Sequence, residues 1–263
     1  MLIDFHTHAF PDAVAGRALA HLAQAGGALR PRTDGTVVGL TQALEQADAL
    51  GVLLPVATNP LKLKSMNDWA KGHASPRIIP FGAAHPLAPD ALEQLHYAKA
   101  LGFQGVKLHP EYQNFQVDDP RAIRLYREIG RLGLITVFHA GLDVAYMPPA
   151  RCEPQALASV LKYFDGAPVV AAHMGGFLRW EEAFRHLCGL PLYLDTAYCH
   201  SCMVVPLAMK MIEKHGADKI LFGSDLPWSS AVDQRDMVLS WPLSQEEKDM
   251  ILYGNARRLL GIE

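Results

Sequence analysis

Residues 119–139 read DPRAIRLYREIGRLGLITVFH, and this stretch decides the fold. Asp119 suits a helix N-cap and Pro120 a first helical position, where a fixed φ fits and the missing N–H is not needed. Ala122, Leu125, Tyr126, Ile129 and Leu132 then recur at helical period, forming one apolar stripe that must lie against a core. Gly133 stops the helix by offering a left-handed C-terminal position. The run Leu134-Ile135-Thr136-Val137-Phe138 follows, nearly all apolar, as expected of a parallel strand covered on both faces, and it ends on His139.

Working outward, the same unit recurs along the chain. Apolar or β-branched runs at 2–6, 52–57, 78–84, 105–109, 134–139, 169–173, 192–196 and 220–223 give eight expected strands. Gly51, Gly102, Gly166 and Gly216 stand before strands as Gly133 does, each suited to closing a helix. Ser244-Gln245-Glu246-Glu247 is a capping-box signature for the last helical region. No two-residue hairpin signal interrupts the series, so the sheet is expected to be parallel with crossover helices. Eight repeats close it into an α/β fold, a (β/α)₈ TIM barrel, with residues 1–263 as a single domain. The first connection, about residues 9–50, is longer than the rest, and its Gly26-Gly27 and Pro31 region is expected to loop over the barrel mouth.

Composition agrees with one large core and narrows the partners. The chain has 263 residues and 50% hydrophobic content, and no composition shift divides it. Its 24 basic and 27 acidic residues give a net charge of −3 with no Lys/Arg cluster, which argues against a nucleic-acid partner or an anionic membrane surface. No apolar run reaches transmembrane length, and a strand beginning at residue 2 leaves no room for a signal peptide, so a cytoplasmic location is expected. Cys152, Cys188, Cys199 and Cys202 read as reduced thiols. Cys199 and Cys202 have C-x-x-C spacing but lack a second ligand pair, so packing is the expected role. An uncharged apolar helix face leaves a homodimer open.

Barrel active sites sit where strands end, so polar residues closing apolar runs are the candidates for chemistry. His6 and His8 are two residues apart on the first strand and share a face, half of a metal site within three residues. Other strand ends carry His85, Lys107 with His109, His139, His173 and Asp225, whereas His21, His73, His96, His186 and His215 fall in helical segments. One histidine at a strand end is ordinary, but several histidines and an aspartate on one rim point to a metal centre. Imidazole nitrogens with a carboxylate suit Zn²⁺, and the same set takes Mn²⁺, Fe²⁺ or Ni²⁺. Such an ion lowers the pKa of a bound water and polarises a carbonyl, with Asp225 or His173 as the base that takes the proton.

The matching residues Asp4-x-His6-x-His8, Gly105-Val106-Lys107-Leu108-His109-Pro110, His139-Ala140-Gly141, His173-Met174-Gly175-Gly176, Gly223-Ser224-Asp225-x-Pro227-Trp228 and Gly254-Asn255-Ala256-Arg257-Arg258-Leu259-Leu260 span nearly the whole chain. In these the sequence resembles the amidohydrolase superfamily, in the amidohydrolase-related branch that includes decarboxylases such as aminocarboxymuconate semialdehyde decarboxylase. The resemblance implies a barrel with one or two metal ions, His6, His8, His139 and Asp225 as ligands, and His173 as a ligand of a second ion or an acid/base. It also implies two readings of Lys107: carbamylated and bridging two metals, or a plain barrel lysine. Burial beside cations would free its amine for carbon dioxide, and a salt bridge explains it equally well.

The leading reading is a metal-dependent hydrolase in which metal-activated water attacks an amide, ester or lactone carbonyl of a small molecule. The alternative is a non-oxidative decarboxylase or hydratase of a small unsaturated or aromatic carboxylic acid, needing a cation such as Arg151 or Arg179 for the substrate carboxylate. A TatD-like phosphoesterase or DNase ranks lower, because Lys107 stands where that group has a glutamate. The PHP phosphoesterases also begin with His-x-His, but the run His8-Ala9-Phe10-Pro11 lacks their further polar ligands and the later stations fit poorly, and a degenerate binding barrel ranks below every enzyme reading. His85, His109 and Trp228 join the two arginines as expected substrate contacts, and Gln113, Asn114, Tyr146 and Trp180 as further candidates for the pocket wall.

Overall fold

The structure is a computed structural model that describes residues 1–27 and 29–262. Its strands are β1 (Leu2–Thr7), β2 (Ala49–Leu53), β3 (Ile78–Pro80), β4 (Gly82–Ala83), β5 (Gly105–Leu108), β6 (Ile135–Phe138), β7 (Val169–Ala171), β8 (Tyr193–Asp195) and β9 (Ile220–Leu221). They pair in chain order and always in parallel, β1 to β3 in one run and β4 to β9 in another. β3 and β4 are two halves of the expected third strand, parted at Phe81 just after Pro80, which has no N–H for the ladder. The ring is completed by Phe5 N–H donating to Phe222 O at 2.8 Å, Asp225 N–H to His6 O at 2.8 Å and His8 N–H to Leu226 O at 2.7 Å. First and last strands therefore meet, and the fold is the (β/α)₈ barrel.

The deciding stretch forms as its chemistry dictates. A helix spans Pro120–Leu132, Asp119 accepts the Arg121 N–H at 2.8 Å, and Gly133 closes the helix at φ +62°. Ala122, Leu125, Tyr126 and Ile129 are its buried face. Gly102, Gly166 and Gly216 also take positive φ, but Gly51 does not behave as expected. β2 begins at Ala49, three residues early, so Gly51 lies inside the strand, where a Cβ would sit 2.7 Å from Leu44. Asp48, at φ +47°, makes the left-handed turn instead. Ser244 and Glu247 form the expected capping box.

Two apolar layers hold the barrel. One lies between strands and helices; the other fills the lumen with Ile3, Phe5, Val52, Phe81, Ile135, Val137, Val170 and Leu221. Phe81 meets Phe5 edge to face at 5.7 Å, and burying it contributes roughly 2–3 kcal/mol. Gly105 makes room for it: a Cβ there would stand 2.4 Å from the Phe81 ring and 2.6 Å from Ile135 O. The long first connection contains helices Asp12–Ala25 and Val37–Gln46. Between them, apart from Ala28, which lies outside the described residues, the chain crosses the mouth: Arg32 N–H donates to Pro227 O at 2.6 Å, and Leu29, with Leu22 of the first helix, reaches into the cavity. No described helix is long and apolar enough to cross a membrane.

Candidate active site

The site starts from an irregularity in β1. Leu2, Ile3 and Asp4 pair with residues 49 to 51 of β2, but Thr7 pairs with Leu53, so β1 carries one extra residue between Asp4 and Thr7. Ile3 and Phe5 face the lumen with the other inward residues, and after this bulge His6 and His8 face it too. A regular strand would have turned the histidines to the opposite face from Phe5; the bulge re-aims them.

Their ring nitrogens are already committed. His8 Nδ1 lies 2.8 Å from Leu54 O, a group that only accepts, so Nδ1 carries the proton and Nε2 is bare. His6 Nδ1 lies 2.8 Å from Asp195 Oδ2 and donates to it, which bares His6 Nε2 as well. These two bare nitrogens are 3.1 Å apart, and Asp225 Oδ1 stands 3.4 Å from the first and 3.3 Å from the second. Lys107 Nζ, 3.2 Å from His6 Nε2, relieves one of these three acceptors, and a cation shared by all three would relieve their mutual repulsion fully. A tetrahedral ion with bonds of about 2.0–2.1 Å has its ligand atoms roughly 3.3–3.4 Å apart, which is this triangle. The donor set therefore fits a divalent metal, which His6, His8 and Asp225 could hold.

Around the triangle the charges are arranged to suit it. Burial alone would raise the Asp225 carboxyl, but His8, His6 and His173 hold it well below the usual range, so it is ionised. Burial and then Lys107 push His6 well below the usual imidazole range. The fully buried Lys107 Nζ lies 3.2 Å from His6 Nε2; burial draws its pKa down to about 8 against the opposing pull of Asp195 and Asp225. Burial thus favours the neutral amine, the form that carbamylation requires. Asp195, which no strand-end pattern flagged, also accepts His173 N–H at 2.9 Å and Ala197 N–H at 3.0 Å through Oδ1.

His139 and His173 form a second facing pair beside the triangle. His139 Nε2 donates to Leu142 O at 3.1 Å and His173 Nδ1 to Ala197 O at 2.9 Å. The remaining His139 Nδ1 and His173 Nε2, both bare, face each other at 3.1 Å. Burial first, then Lys107 for His139 and His139 for His173, lowers both pKa values to about 4. His139, which the family resemblance groups with His6, His8 and Asp225, stands beside that triangle and forms with His109 and Asp143 a second group that could hold an ion. His173 and Asp225 sit in the left-handed region, at φ +58° and +70°. Such backbone costs of order 1–3 kcal/mol per residue, and the bonds from His173 N–H to Asp195 and from Asp225 N–H to His6 O hold it.

His6, His8, Lys107, His109, His139, His173, Asp225 and Trp228 all line one cavity at the barrel mouth. Leu54, Val56, Met66, Phe177 and Tyr198 supply much of the rest of its wall. Three expected substrate contacts are elsewhere. His85 is buried and its Nδ1 accepts Leu87 N–H at 3.2 Å. Arg151 lies 3.5 Å from Glu111 and Arg179 bonds Glu153 at 2.9 Å, so each arginine is spent on a neighbouring carboxylate. Gln113 staples Ala57 O, Ala84 O and His109 N–H, Asn114 makes a left-handed turn, and Trp180 donates to His173 O at 2.9 Å. Tyr146 packs on Tyr112 outside the wall. Tyr112 and Asp143 do line the cavity without having been foreseen, because both stand in connections where no periodic pattern marks a residue.

The amidohydrolase family profile matches residues 3–262. The chain belongs to the amidohydrolase family. Among solved structures, this amidohydrolase is similar to an uncharacterised TIM-barrel protein from Bordetella bronchiseptica, 21% identical, covering 99% of this chain and 98% of that one with a TM-score of 0.74. It is also similar to 5-carboxyvanillate decarboxylase from Sphingomonas paucimobilis, at 16% identity, coverage of 100% and 99%, and TM-score 0.70. A third is a dihydroxybenzoic acid decarboxylase from Polaromonas with bound manganese and the inhibitor 2-nitroresorcinol, at 15%, 99% and 96%, and 0.69. At these identities the likeness speaks for the fold, and the fold it names for this amidohydrolase is the barrel described above.

Proposed function

We propose that this amidohydrolase is a divalent-metal-dependent decarboxylase of a ring carboxylic acid, with aromatic hydroxy acids as the first class to test. The observation that carries the reading is a three-ligand floor under a largely apolar wall in which Lys107 is the one lysine or arginine among the described residues. A flat ring buries its faces against Leu54, Met66, Phe177 and Trp228, and its single anionic end goes to the floor beside Lys107. The decarboxylases among the solved relatives support this reading, which reverses the order of preference drawn from the sequence. It also dispenses with the arginine clamp.

His6, His8 and Asp225 would hold the ion; Zn²⁺ suits the donors, as does the Mn²⁺ named for the Polaromonas relative. When bound, the ion supplies positive charge that orients the substrate oxygens and draws electron density from the ring. Loss of carbon dioxide breaks the bond between ring and carboxyl carbon, leaves the electron pair on the ring carbon, and requires one proton there. His173 Nε2 and His139 Nδ1, bare because their other nitrogens are committed to carbonyls, would take that proton up from solvent and pass it to the ring carbon. Asp195 keeps His6 in the tautomer that bares Nε2, and the apolar wall keeps competing water from the ring carbon.

Hydrolysis of an ester, amide or lactone is the second reading, favoured by the ionised Asp225 and neutral His173, either of which can take a proton from attacking water. Metal-loaded enzyme incubated with 2,6-dihydroxybenzoate and other ring acids, with carbon dioxide and the arene product followed, separates the two. Turnover of a lactone or ester panel with no carbon dioxide from any ring acid defeats the decarboxylase reading.

A further inference from the structure

Against His139 on the cavity wall, His109 and Asp143 form a pair that the proposed chemistry leaves unused. His109 Nδ1 accepts Tyr112 N–H at 3.4 Å at the start of the helix Pro110–Gln113, which places the ring proton on Nε2. The ring cannot easily turn, because it stacks on His139 at 4.2 Å with 10° between planes. Its Nε2–H lies 3.6 Å from Asp143 Oδ2, too long for a hydrogen bond between them. The other carboxylate oxygen is fixed by Ala145 N–H at 2.8 Å, and the Tyr112 side chain stands beside the acid. A donor and an acceptor thus stand side by side on the wall, both little exposed and not bonded to each other.

We infer that His109 and Asp143 form a specificity subsite for a substrate hydroxyl, which accepts from His109 Nε2–H and donates to Asp143, and that the same pair rejects a second carboxylate. A hydroxyl is matched at both atoms. A carboxylate only accepts; it gains one bond and is set against the Asp143 charge in a cavity that screens charge poorly. The inference rests on the reading of the cavity as a ring-acid site, and it is separate from the reaction carried out there.

The test is equilibrium binding by calorimetry to Mn²⁺-loaded protein, with 3-hydroxybenzoate, 4-hydroxybenzoate, benzoate and benzene-1,3-dicarboxylate as ligands. The better hydroxybenzoate is expected to bind about tenfold or more tightly than the dicarboxylate, the usual result of leaving a buried polar group mismatched. In Asp143→Asn the charge is gone and the amide can donate, so that ratio is expected to collapse to about one. In Asp143→Ala the hydroxyl loses its acceptor, and hydroxybenzoate is expected to bind no better than benzoate. Preference of the wild type for the dicarboxylate, absence of binding by either hydroxybenzoate, or a ratio unchanged in Asp143→Asn overturns the inference. Binding in the expected order with no carbon dioxide released would leave this subsite standing and sink only the decarboxylase reading.

Discussion

Asp195→Asn tests whether the His6 tautomer makes the metal site. The substitution is nearly isosteric, and the two backbone donors on Oδ1, from His173 and Ala197 at 2.9 and 3.0 Å, dictate which end of the new amide is oxygen. The amide NH₂ must then face His6 Nδ1, where a carboxylate oxygen sits at 2.8 Å in the native protein. Two donors cannot face each other, so His6 moves its proton to Nε2, the atom that belongs to the ligand triangle. Losing the partner of a metal-binding histidine costs about 10–100-fold in metal affinity, or about 1.4–2.8 kcal/mol. The assay is competition for Zn²⁺ with a chromophoric chelator, alongside thermal melts with and without metal. Burial raises the Asp195 carboxyl above its ordinary pKa, so removing its charge relieves the apo fold, and the metal-free melting temperature should not fall. Metal affinity within about twofold of wild type, with the apo melt unchanged, would refute the tautomer argument.

Burial raises the Asp4 pKa to about 7, and the Ser224 and His6 donors only partly offset it. Between the unfolded value of 3.8 and about 7 the apo folded state holds a proton that the unfolded chain has released, so this group's contribution falls as pH rises through that window. Urea melts of metal-free protein at pH 5 and 7 should show a smaller loss in Asp4→Asn than in wild type, and parallel curves would contradict this. Gly133→Ala meets no neighbour with its new Cβ, so its cost is the left-handed backbone alone, about 1–2 kcal/mol, seen as a melting temperature lower by a few degrees. Arg179→Ala should leave KM for a turned-over substrate within about threefold, because its guanidinium bonds Glu153 outside the cavity wall; a tenfold rise would return that arginine to the substrate.

The repeat was legible because each unit carries local signals: the stripe from Ala122 to Ile129, its cap at Asp119 and its stop at Gly133 are all set within a few residues. The polar strand ends were legible for the same reason, since His6, His8, His139, His173 and Asp225 stand out against apolar runs and do gather at one mouth. What stayed hidden depends on distant parts of the chain. Gly51 looked like a helix stop, yet its place in β2 is set by pairing with Asp4 and by Leu44 packing against it. Asp195 ends a strand in a manner indistinguishable from a surface acid, and only the return of the chain places His6 Nδ1 on it. Arg151 and Arg179 looked free because the glutamates that occupy them, Glu111 and Glu153, have no spacing that announces a pair.

The meeting of β1 with the segment after β9 would give a bound metal a place in the order of folding. Two of the three candidate ligands, His6 and His8, lie on β1 and the third is Asp225, whose N–H bonds His6 O only when the ring is shut. A growing chain, or a fragment ending before Asp225, carries His-x-His and nothing to complete the cluster. An ion held by these three would act as an inspector of the finished barrel: only chains in which β1 has met the segment after β9 would retain it, and it would lock the seam through which the barrel opens.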